Sequence, residues 1–135
     1  MKKTKILSLM LVFMVLVSVL ATSVQAASTY TNQTAATGTN FDISDSGLAT
    51  VTLSYEGREG LTTHAKMTIK ISKRSFLFFW NEVVTDTLYS TEMYYIYNYE
   101  YQLSSKGTYK CEVEYCISGT GGADDILTFE DTATY

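Results

Sequence analysis

The 135-residue chain has no proline, one histidine, one tryptophan and only two cysteines. Each scarcity excludes something. Without proline, a proline-containing cell-wall sorting motif is impossible. With His64 alone, any Ser–His–Asp or Cys–His system would have to run through one imidazole, and no nucleophile elbow surrounds a serine or cysteine. One histidine and two cysteines are also too few ligands for zinc. Gly119, Gly121 and Gly122 lack the lysine and the following helix of a phosphate loop. Asp42 with Asp45, and Asp124 with Asp125, lack the spacing of a calcium loop. Fourteen acids do not by themselves set two carboxylates across a glycosidase cleft. The chain therefore reads as a non-enzyme without cofactor or metal.

What is present begins with an export signal. Lys2, Lys3 and Lys5 precede an apolar run from Ile6 to Leu20, broken only by Ser8 and Ser18, and Val24, Gln25 and Ala26 close the segment. Charge, apolar run and small residues in that order predict a signal peptide over 1–26, cleaved before Ala27. The run is short for a permanent anchor, which needs about 20 strongly apolar residues. Ala27 offers no cysteine for lipid attachment, and the last five residues form no apolar tail. The expectation is a secreted, extracellular domain. Loss of three lysines leaves seven bases against fourteen acids, a formal charge of −7. Such a charge repels nucleic acid at long range, so no nucleic-acid partner is expected.

Cysteine spacing argues against a disulfide. Cys111 and Cys116 lie in an alternating, strand-like segment. Five strand steps separate them by about 16 Å and point them to opposite faces, whereas a disulfide needs Cα atoms within about 7 Å. Both are expected as free thiols, with Cys111 buried.

Period two dominates the mature chain. Ala49, Val51, Leu53 and Tyr55 alternate with Thr50, Thr52 and Ser54. Ala65, Met67, Ile69 and Ile71 alternate with Lys66, Thr68, Lys70 and Ser72. A dense apolar run covers 76–84, alternation resumes over 93–103, and Tyr109, Cys111, Val113 and Tyr115 form a further inward row. With strands near 37–43 and 126–134, about seven short strands are predicted. They suit an all-β, antiparallel two-sheet sandwich over 39–135, with a small closed barrel as the alternative. Residues 27–38, rich in Thr, Ala and Asn, read as a flexible lead-in.

One local pattern is more specific. Leu103, Gly107, Tyr109 and Val113, in the segment Leu-Ser-Ser-Lys-Gly-Thr-Tyr-Lys-Cys-Glu-Val, resemble the tyrosine corner of immunoglobulin and fibronectin type III sandwiches. There a tyrosine at the start of the penultimate strand bonds back to upstream backbone. The chain departs from immunoglobulin domains in lacking the partner cysteine, with Leu53 in that place, and the tryptophan of the third strand. Ser105 also stands where aspartate is common. The mature chain is also similar to uncharacterised small secreted proteins of Gram-positive bacteria that carry a Ser-Gly-Thr-Gly-Gly turn, here at 118–122. Both resemblances imply fold and export, not activity.

Two aromatic runs are the candidate binding residues. Tyr95, Tyr97, Tyr99 and Tyr101 recur at period two and share one strand face. On an exposed face they would stack sugars or grip a protein; on the inward face they are core. Phe76, Leu77, Phe78, Phe79 and Trp80 are consecutive, so a strand there carries rings on both faces. Either it is buried, or it marks a binding or membrane-contact surface, beside Lys73 and Arg74 that suit an anionic membrane. The leading reading is a secreted binding module for a protein, glycan or membrane surface. The alternatives are a membrane-active effector or bacteriocin-like toxin, and an assembly subunit that pairs sheet edges.

Overall fold

In the computed structural model, which describes residues 30–34 and 36–135, seven strands follow one another: β1 (Gly38–Ile43), β2 (Leu48–Glu56), β3 (Thr62–Phe76), β4 (Phe79–Ser90), β5 (Tyr94–Gln102), β6 (Thr108–Gly119) and β7 (Asp125–Thr134). The predicted signal peptide lies outside the described residues. All pairings between strands are antiparallel. They form two sheets, ordered β1-β2-β5 and β4-β3-β6-β7. The protein is the all-β two-sheet sandwich that the alternation predicts, and the barrel alternative falls because the two sheets never join edge to edge.

The core follows from that alternation. Ala49, Val51, Leu53 and Tyr55 of β2 face Ala65, Met67, Ile69 and Ile71 of β3 and Tyr109, Cys111, Val113, Tyr115 and Ile117 of β6, all buried. These are the central strands, flanked on both sides, so their inward residues have no route to solvent. Each large aliphatic side chain removed from water contributes roughly 1.5–3 kcal/mol. Tyr115 adds a polar tie between the sheets. Its hydroxyl donates to the Gly38 carbonyl at 2.8 Å and accepts the Ser54 N–H at 3.3 Å. Burial pushes that phenol above its ordinary pKa.

The corner of the sandwich has the bond that its sequence implies. Tyr109 Oη donates to the Ser105 carbonyl at 2.5 Å, and Leu103 is buried nearby in the core. At the same end, Gly47 adopts φ 80°. A Cβ there would also stand 2.6 Å from the Tyr135 ring, so both backbone and packing demand glycine.

Two expectations change. The flexible lead-in expected over 27–38 is tied down where it is described. Asp125, itself buried, accepts the N–H groups of Thr31, Asn32 and Gln33 at 2.9, 2.7 and 3.0 Å. Asn32 and Gln33 are fully buried. A polar segment is ordered because a carboxylate satisfies three successive amides. The dense run at 76–84 is not one strand either: Phe76 ends β3, a two-residue turn holds Leu77 and Phe78, and Phe79 begins β4.

Candidate functional site

That turn makes the candidate site. β3 keeps its partner β6 only as far as the Lys73–Tyr109 pair. Beyond it, Arg74 and Phe76 pair only with Trp80 and Phe79 of β4, so among the described residues the hairpin continues without a sheet neighbour. Irregular registers after Ile71 and after Arg74 add local twist to this part of the ladder. Unsupported on its flanks, the tip exposes Phe76, Leu77, Phe78 and Phe79, each 62–83 % accessible. The buried-strand alternative for these residues is therefore overturned. A buried strand here would have needed a neighbour on each face to cover its rings, and among the described residues none lies alongside the tip.

Trp80 differs from its four neighbours. It is partly covered, with its ring 5.5 Å from the Arg74 guanidinium and 5.4 Å from Lys110 Nζ. Each is a cation–π contact, which stabilises by about 0.5–1 kcal/mol at exposed sites. Lys110 also pairs with Glu112 and Glu130, both at 3.3 Å. The tryptophan therefore forms the collar of the finger rather than its tip.

Lys73 Nζ donates to Ser105 Oγ at 2.7 Å and lies 5.8 Å over the Tyr109 ring. Lys106, next to Ser105, lies 5.8 Å over Tyr135. Strand direction thus gathers Lys73, Arg74, Lys106 and Lys110 at the end that bears the apolar tip. Lys106 and Lys110 are some thirty residues from Lys73 in sequence, and only the antiparallel return of β6 unites them.

The tyrosine row lies elsewhere. Tyr95, Tyr97, Tyr99 and Tyr101 pair with Tyr55, Leu53, Val51 and Ala49, so they share the inward face of the three-stranded sheet. Because β5 is an edge strand, cover is incomplete: Tyr99 is 9 % exposed and Tyr97 44 %. Tyr95 stacks on Tyr55 at 5.6 Å and on Tyr97 at 6.0 Å. Tyr99 meets Asp86 of β4, which pairs with Ile69 in register and stays exposed at the sheet edge. Burial first, and the Asp86 charge second, push the Tyr99 phenol above its ordinary pKa. The row is thus the flank of the core. It does not join the Phe76–Phe79 tip in one surface, since it lines the lateral edge.

Both cysteines are free. Cys111 faces the core, and burial, followed by the charges of Asp131 and Glu112, pushes its thiol up to about 12. Cys116 faces the other way, 3.5 Å from Asp124. His64 contacts the Thr63 hydroxyl at 3.0 Å on an exposed strand start. Among the described residues, no three His, Cys, Asp or Glu side chains converge.

Comparison with protein-family models, curated proteins and solved structures gives no match.

Proposed function

We propose that this chain is a secreted, non-enzymatic binding module that docks on a membrane interface through the tip of the β3–β4 hairpin. The sandwich is its scaffold, and we assign it to the immunoglobulin and fibronectin III-like class. The strand order and the Tyr109–Ser105 bond support that assignment. The observation that carries the functional reading is the exposure of four consecutive large apolar side chains, Phe76, Leu77, Phe78 and Phe79. Folding gains nothing from an apolar tip in water, whereas a partner that removes it from water gains from each ring. Three residues of β3 extend past the last β6 pair, a reach of roughly 10 Å. That matches the depth of interfacial contact, about 5–10 Å, and is far short of the 9–11 residues of a spanning strand. Docking rather than pore formation is the expected mode.

Trp80 is the sole tryptophan and sits at the finger's base, so its fluorescence reports insertion. The exported protein is expected to sediment with phospholipid vesicles and to shift its emission to the blue, and Phe78→Ser to lose both. Wild-type protein that stays in the supernatant with every vesicle composition ends the membrane reading. Dye release from loaded vesicles would convert it to the membrane-active effector.

A second reading rests on β5. Among the described residues its outer edge is unpaired, and it carries no lysine or proline over nine residues, two of the devices that usually block edge pairing. Exposed Tyr94, Ile96 and Tyr97 would support assembly through that edge. Concentration-dependent mass in sedimentation velocity tests it, and a constant monomer mass rejects it.

A further inference from the structure

The finger stands beside a groove of about 370 Å³ lined by Lys73, Arg74, Ser75, Asn81 and Val83. Four of these five side chains offer N–H or O–H donors and none is acidic. Ser75 already donates to the Phe79 carbonyl at 3.4 Å, bracing the finger. Lys73 contacts only the neutral Ser105 hydroxyl and the Tyr109 ring, so its charge is uncompensated and it has further donors to give. Arg74 faces Trp80 and, among the described residues, meets no carboxylate within ion-pair distance.

Unpaired cations also gather around the finger. Among the described residues, five cations lie outside ion pairs: Arg58, Lys66, Lys73, Arg74 and Lys106. Three of them stand at the finger end. The β1–β2 connection brings Asp42 and Asp45 to the same end, and Glu82 follows Asn81 on β4, so the basic character belongs to the base of the finger and not to the whole end. The body is net negative, so attraction to an anionic surface has to come from these unpaired cations at short range.

We propose that the groove takes the phosphate of an anionic lipid headgroup while Phe76, Leu77, Phe78 and Phe79 enter the acyl boundary. The proposal rests on the membrane reading above. Lys73 supplies the point charge on the face of Tyr109, and Arg74, on the opposite face of the hairpin beside Trp80, meets the same headgroup layer with its planar fork. Asn81, opposite Lys73 across the hairpin, adds a neutral donor. The partner is the lipid itself, because the groove opens beside an apolar finger that a free phosphate would leave in water.

Vesicles of pure phosphatidylcholine and vesicles containing phosphatidylglycerol separate the two claims. Wild-type protein is expected to bind the anionic vesicles at least ten-fold more tightly at low salt, with the preference shrinking as salt rises. The double variant Lys73→Gln/Arg74→Gln should lose about thirty-fold on anionic vesicles while keeping its Phe78-dependent binding to neutral ones. Lys66→Gln, outside the groove, removes one charge and should lose less than two-fold, and thermal unfolding of both variants checks their fold. Equal wild-type affinity for both compositions overturns the groove and leaves the membrane reading intact. A loss in Lys66→Gln as large as the per-charge loss in the double variant also overturns it, since net charge alone would then suffice. No binding to either vesicle defeats both claims.

Discussion

The chain has two aromatic runs with opposite fates. At the hairpin tip, Phe76, Leu77, Phe78 and Phe79 are left in solvent; along β5, Tyr99 is buried and Tyr95 and Tyr101 are partly so. Hydrophobicity alone would invert this, because phenylalanine buries more readily than tyrosine. Spacing and neighbours decide. The tyrosines sit at every second residue, in register with the core-facing row of β2, so one strand face delivers them all to the interior. The tip residues are consecutive, two in a tight turn and one on each side of it, and among the described residues no third strand lies beside them, so no face can deliver them anywhere. An aromatic side chain is buried by the ladder around it, not by its own transfer energy.

Substitutions graded by depth test that contrast. Tyr99→Ala, at the buried point of the row, should destabilise by about 3 kcal/mol in urea unfolding. A cost below 1 kcal/mol would make β5 a loosely attached edge.

The second test uses pH. Burial raises the phenols of Tyr95, Tyr99, Tyr55 and Tyr115 above 10.0 and the Cys111 thiol to about 12. These groups ionise sooner in the unfolded chain. Their contribution is therefore complete below about pH 9 and is lost as pH rises from there toward 12, by at most about 1.4 kcal/mol per pH unit for each group. Denaturant midpoints that stay level from pH 8 to pH 11 would contradict this burial. Ellman's reagent should label Cys111 only in unfolded protein.

A smaller effect belongs to Tyr97→Ala, about 1 kcal/mol, because nearly half of that ring is already wet. Smallest of all is Phe78→Ser, expected within about 0.5 kcal/mol, with a gain in solubility. A large loss of stability in that variant would mean that the tip packs against the domain, and the contrast between the two runs would collapse.

Much of the fold was legible in the residues. Alternation in β2, β3 and β6 names nearly the whole core, and Leu103, Gly107 and Tyr109 announce the corner. Less was legible at the site. A dense apolar run looks the same to periodicity whether it forms a buried strand or a hairpin tip, and a Leu-Phe turn carries none of the Gly, Asn or Asp signals that usually mark one. The clasp on Asp125 was hidden as well, since its three amides lie more than ninety residues away.

By itself, the sequence determined the class of structure, the free thiols on opposite faces of β6 and the inward rows of the central strands. Those properties follow from the two-residue repeat of a strand, which is local. Tertiary structure alone decided that Phe76, Leu77, Phe78 and Phe79 meet water, that the tyrosine row meets the core, and that Lys106 and Lys110 join Lys73 and Arg74 around the finger. Exposure and charge grouping depend on which strands lie alongside, and pairing partners are set by the whole sheet, not by the segment that carries the side chain.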